Sequence, residues 1–190
     1  MFLNSYFCRM NRKKVWFLFL CSAMLLNLSF GIADFLPKRV FKELSKVFET
    51  EQFVLQPIKV EPELNAQLPQ KISGENLYQI SIQKHTVGYV FFDQAMSKTA
   101  QFDYLVIFNK DLTVRQTKIL VYREEYGGEI GSRRWLSQFD GKSGDETLEY
   151  QKNIDAISGA TISARSMTIA MNNLLKSITI LKQKHLFDEL

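Results

Sequence analysis

Two stretches of helical period bracket a stretch of strand period. Near the beginning, Val40, Phe41, Leu44, Val47 and Phe48 recur at three- and four-residue spacing. This predicts a helix over Asp34–Thr50, with Asp34 as N-cap and Pro37 in the first turn. Near the end, Met167, Ala170, Met171, Leu174, Leu175, Ile178 and Leu181 form one apolar stripe, with Arg165, Asn172, Lys176 and Lys182 mostly elsewhere. That pattern predicts an amphipathic helix over Thr161–Lys182 whose stripe packs on a core. Between them the period shortens. Leu77–Lys84 alternates, with Tyr78, Ile80 and Ile82 on one side. Val87–Phe92, Gln101–Phe108 and Thr113–Tyr122 are further β-rich runs, joined at His85-Thr86 and Asn109-Lys110-Asp111, the latter a turn composition. Ser132–Phe139 reads as a short helix carrying Trp135, and Gly141–Gly144 as a loop.

Four strands on short connections imply an antiparallel sheet. The predicted fold class is α+β: an antiparallel β-sheet packed by the C-terminal amphipathic helix, plus the N-terminal helix. Pro57, Pro62 and Pro69 make residues 51–76 an irregular or short-stranded connector. The expected organisation is thus a leader over 1–33, a helix and connector over 34–76, and the sheet-bearing domain over 77–190.

Charge placement and cysteine count narrow the chemistry. Arg9, Arg12, Lys13 and Lys14 account for the whole formal net charge of +4, so the sequence from Asp34 onward is formally neutral. A basic nucleic-acid footprint is absent. Cys8 and Cys21 are the only cysteines, and both precede Asp34. The body therefore has no disulfide, zinc–thiolate site, iron–sulfur cluster, CxxCH haem site or thiol catalysis. His85 and His185 stand alone, and no metal site is expected. The basic cluster precedes an apolar run, Val15–Phe30, and then Gly31-Ile32-Ala33. This is the layout of a secretory signal, for which Met10 is a possible start. Val15–Ala33 is also close to the ~20 residues that span a bilayer. Cleaved signal and retained anchor both place the body on the extracytoplasmic, periplasmic side of the membrane.

Just before the last helix the chain reads Asp155-Ala156-Ile157-Ser158-Gly159-Ala160-Thr161. Small residues here meet the N-terminus of a helix, whose first backbone N–H groups lack partners and whose dipole is positive. Gly159 and Ala160 leave room for a phosphate, and Ser158 and Thr161 offer hydroxyls. The same residues equally compose an ordinary N-cap with a glycine turn. Upstream, Tyr126-Gly127-Gly128-Glu129-Ile130-Gly131 is a glycine loop, or a simple β-to-α turn. Trp135 and Phe139 are aromatic candidates for lining a ligand or for filling the core.

The run Asp155-x-x-Ser158-Gly159-Ala160-Thr161 resembles the D-x-x-[ST]-G-A-T signature of the FMN-binding domain family, which includes the RnfG and NqrC subunits of ion-pumping redox complexes. The resemblance covers roughly Leu77–Lys182. It implies that FMN is attached through a phosphoester to the final threonine, here Thr161. Asp155, Ser158, Gly159 and Ala160 are the accompanying cofactor-binding candidates; Asp155 either caps the turn leading to Thr161 by accepting backbone N–H bonds or, as the resemblance implies, presents the threonine to a flavin transferase. The loop with Gly128, Glu129, Ile130 and Gly131 would approach the flavin. Rnf-type members carry T-P-G-L-G in that loop, and this chain has neither the proline nor the leucine.

A threonine hydroxyl is a poor nucleophile unaided, and no base is apparent beside Thr161. The resemblance therefore implies maturation by a separate exported, magnesium-dependent flavin transferase using FAD. The expected function is an exported, membrane-associated flavoprotein electron carrier serving a membrane reductase or redox complex, with no catalytic residue of its own. Two other readings stay open: a module binding flavin or another phosphate ligand noncovalently, and a non-redox membrane-tethered interaction domain. No G-x-G-x-x-G supplies a nicotinamide site for a flavin reductase.

Overall fold

The computed structural model describes residues 36–188. The leader over 1–33 and the capping role of Asp34 lie outside the described residues. The chain forms two compact units, Met1–Glu43 and Leu44–Leu190. The first helix is α1 (Leu36–Phe48). Within the second unit, the Arg115 guanidinium lies 4.6 Å from the Phe48 ring centre and donates to the Val47 carbonyl at 3.1 Å. No helix among the described residues is long and apolar enough to cross a membrane.

The second unit is built on a five-stranded antiparallel meander: β1 (Val54–Pro57), β2 (Leu77–Ile82), β3 (His85–Met96), β4 (Gln101–Asn109) and β5 (Val114–Val121), in that spatial order. The connector thus supplies an edge strand, with Leu55 opposite Ile80. It also supplies a short helix, α2 (Pro62–Gln67), and its Ile58, Leu68 and Ile72 are buried in the main core.

Two expectations need correction. The β2–β3 turn is Gln83-Lys84, both with positive φ (51° and 66°), and His85 already pairs with Ile82. Two consecutive left-handed residues match the right-handed twist of the flanking strands, although neither is glycine or asparagine. Strand β3 also continues past Phe92 to Met96. Its polar extension is held by side-chain partners: Gln94 donates to Asp103 on β4 at 2.7 Å, and Gln70, in the loop before β2, donates to Asp93 at 2.6 Å.

Strand β2 is buried on both faces, at Leu77 and Gln79 as well as Ile80, so its alternation does not mark a solvent side. Strand β4 is buried from Phe102 to Phe108. One sheet face carries Tyr89, Phe91, Tyr104, Val106 and Phe108 into the main core. The long C-terminal helix α4 (Thr161–Gln183) lies over that face and contributes Met167, Met171, Leu174, Leu175, Ile178 and Leu181, the stripe read from its period. After β5 the chain makes a 3₁₀ turn (Gly128–Gly131), the short helix α3 (Arg133–Leu136) and a second 3₁₀ turn (Ser137–Phe139). The Ser132 hydroxyl accepts the Trp135 N–H and caps α3.

Candidate functional site

The approach to α4 is anchored from below. The Trp135 indole N–H donates to the Asp155 carbonyl at 2.8 Å, and the Asp155 N–H donates to Gln138 Oε1 at 2.8 Å. Trp135 and Phe139 are buried edge-to-face, with ring centres 5.3 Å apart. Both belong to the core, so the ligand-lining reading of these rings is set aside. Gly159 then turns the chain with φ at +79°, and Ala160 takes the N-cap position.

That N-cap has no side-chain hydrogen bond, and the first turn of α4 holds no acidic residue. Ser158 is exposed and does not cap, so the ordinary N-cap reading is not what the chain adopts. Asp155 is exposed as well, and among the described residues its carboxylate accepts none of the motif's N–H groups. A helix of 23 residues thus begins with uncompensated N–H groups and an unopposed positive dipole end. Thr161 stands exposed at this end, and its hydroxyl makes no hydrogen bond among the described residues.

The glycine loop reaches the motif through one residue. Gly127 has φ at +84°, and a Cβ there would stand 3.0 Å from the Gly159 carbonyl oxygen and 3.1 Å from the Ala160 Cβ. Tyr122 fastens the junction: its hydroxyl lies 3.1 Å from the Tyr126 carbonyl and 3.0 Å from Ser163 Oγ in the first turn of α4. Of the other loop residues, Gly128 and Glu129 are exposed, Gly131 is half-buried, and the Ile130 side chain is fully buried in the core. Ile130 can therefore face a ligand only through its backbone.

Two grooves meet at Thr161 and Ile162. One, of about 360 Å³, runs along α4 past Arg165, Ser166 and Ile169 to Met96 and Ser97. The other, of about 400 Å³, lies between the α4 start and the strand ends, walled by Lys98, Thr99, Tyr122, Glu124 and Tyr126. Met96, Tyr126, Ile162 and Ile169, all large and apolar, remain 50%, 81%, 51% and 54% exposed around them. Such a cluster marks a surface awaiting a ligand or partner. In the first groove the Arg165 guanidinium lies 5.6 Å from the Tyr150 ring centre.

The second groove's wall is fixed by Glu124. Its Oε1 accepts the Ser97 hydroxyl, the Thr99 N–H at 2.6 Å and the Ala100 N–H at 3.2 Å. These bonds, the Ser97 hydroxyl foremost, pull the carboxyl down to about 2 from its ordinary 4.5. Sequence reasoning missed Met96, Ser97, Lys98, Thr99, Glu124 and Arg165 as site residues. Only Tyr126 announced itself, by adjoining the glycine loop; the 97–100 turn reaches the site through tertiary folding alone.

Residues 99–176 match the family model described as FMN-binding domain. Thr161 falls inside the matched segment. Among solved structures it is similar to the crystal structure of NqrC from Shewanella oneidensis, with 19% identity and a TM-score of 0.46. That match covers 56% of this chain and 59% of the other, so the chain spans about three fifths of the length of that relative. No curated protein matches the chain.

Proposed function

We propose that this protein is an exported, membrane-associated electron carrier whose FMN is esterified through its phosphate to Thr161 Oγ. The observation that carries this reading is an exposed, unbonded threonine hydroxyl at the uncapped start of a long helix, inside the segment that matches the FMN-binding domain model.

The residues present fit the cofactor. The free N–H groups at the start of α4 suit a phosphate diester, and the space beside Gly159, where a Cβ would meet nothing within 4 Å, admits it. The groove at Tyr126 offers aromatic and polar surface next to Thr161, and Gly127 lies against Tyr122, Gly159 and Ala160 of its wall. Bound FMN supplies one- and two-electron chemistry; the chain supplies tether, position and polarity.

No carboxylate or imidazole hydrogen-bonds the Thr161 hydroxyl among the described residues, which supports maturation by a separate flavin transferase. A covalent tether suits an extracytoplasmic location, where a diffusible cofactor escapes. The electron partner is a membrane reductase or redox complex.

Co-expression with a flavin transferase, followed by intact mass measurement, tests the reading. The expected result is one added FMN moiety, absent in Thr161→Ala, with the variant's melting temperature nearly unchanged. An unmodified, colourless wild-type protein under those conditions overturns it.

A further inference from the structure

Resting on that reading, the geometry points to Glu124 as a fixed negative charge in the wall of the flavin groove, lowering the reduction potential of the ring held there. Glu124 and Thr161 line the same cavity, so a ring tethered at Thr161 and seated against Tyr126 shares a small enclosure with this carboxylate. The side chain cannot swing away, because one of its oxygens is the common acceptor for the Ser97 hydroxyl and the Thr99 and Ala100 N–H groups. Three donors on one oxygen also keep the group ionised throughout the neutral range. Among the described residues Glu124 has no cationic partner. Lys98, on the same wall, is exposed and makes no ion pair with it. The clamp therefore presents net negative charge at a fixed point of the groove wall.

Potentiometric titration with dithionite reads the effect directly. The ring takes two electrons from dithionite, which is oxidised to sulfite, and one proton from water, so the charge of the ring falls by one. A neighbouring carboxylate opposes that gain of negative charge. Glu124→Gln keeps a carbonyl oxygen for the three donors and removes only the charge.

The experiment compares wild type, Glu124→Gln and Lys98→Gln after flavin loading, with loading verified by intact mass and folding by melting temperature. Glu124→Gln is expected to favour the reduced form by roughly tenfold, an upward shift of ~30 mV for a two-electron couple. Lys98→Gln is expected to shift the potential downward. A Glu124→Gln protein with full flavin mass and the wild-type potential overturns the inference while leaving the proposed function standing. Should Glu124→Gln not accumulate in folded form, an unchanged potential in Lys98→Gln overturns the inference equally, because the ring is then not in this groove. A wild-type protein that takes no flavin overturns the proposed function and this inference with it.

Discussion

Gly127 meets two demands at once: a left-handed backbone and contact with the chain that leads into α4. Alanine there would be strained by its φ and would stand 2.9 Å from the Tyr122 hydroxyl. Gly127→Ala is expected to cost about 2 kcal/mol in urea unfolding. Gly128→Ala, with open space around its Cβ, is the control and stays within about 0.5 kcal/mol. Glu124 makes a second prediction at this scale. Its folded-state pKa lies near 2 against an ordinary 4.5, so its stabilising bonds are fully present above about pH 4.5 and are lost as pH falls toward 2. Thermal melts of the flavin-free protein from pH 7 to pH 2 should show a steeper acid loss in wild type than in Glu124→Gln. Asp93 has the opposite sign: burial raises its pKa, so acidification relieves a cost there. Comparing the two proteins isolates Glu124 from that background.

At the scale of the element, α4 is well packed along its length and unfinished at its start. Leu174 is fully buried among the core residues, and Leu174→Ala is expected to cost about 2–5 kcal/mol, read by chemical denaturation. Ile169, half-exposed on the groove side, should tolerate alanine within about 0.5 kcal/mol. The missing cap is itself informative, because a helix of this length would gain stability from an acid in its first turn. Thr161→Asp is expected to stabilise the flavin-free protein by about 0.3–1 kcal/mol through the helix dipole. The same change removes the hydroxyl and should abolish flavin addition by intact mass. Under the proposed function, forgoing that stabilising group follows the usual trade between stability and function.

At the scale of the molecule, the meander makes protection uneven. Strand β4 pairs on both edges and is buried from Phe102 to Phe108, whereas β1 is a short, largely exposed edge strand ending at Pro57. Amide hydrogen exchange should find the slowest amides in β4 and its pairings with β3 and β5. Exchange in β1 should be faster by orders of magnitude. The Thr161 region lies between these extremes: its floor is tied to α3 by Trp135 and to the following 3₁₀ turn by Gln138, and its walls come from strand ends.

Much of this architecture was legible in order of sequence, because the relevant signals are local. Apolar spacing reports which face of a helix or strand meets the core, and it located α1, α4 and the central strands. The D-x-x-S-G-A-T run placed Thr161 at a helix start because small residues, a glycine turn and a following stripe are neighbours in the chain. Other features depend on partners far away in sequence. Gln83-Lys84 turns without a turn residue because the pairing of β2 with β3 compels it. Strand β3 runs on through Asp93 and Gln94 because Gln70 and Asp103 satisfy them. The groove walls, and Glu124 held by three donors from the 97–100 turn, exist only once the sheet has brought the strand ends beside α4. Hydrogen bonds and enclosures between distant segments leave no periodicity in the sequence, so only the tertiary structure could decide them.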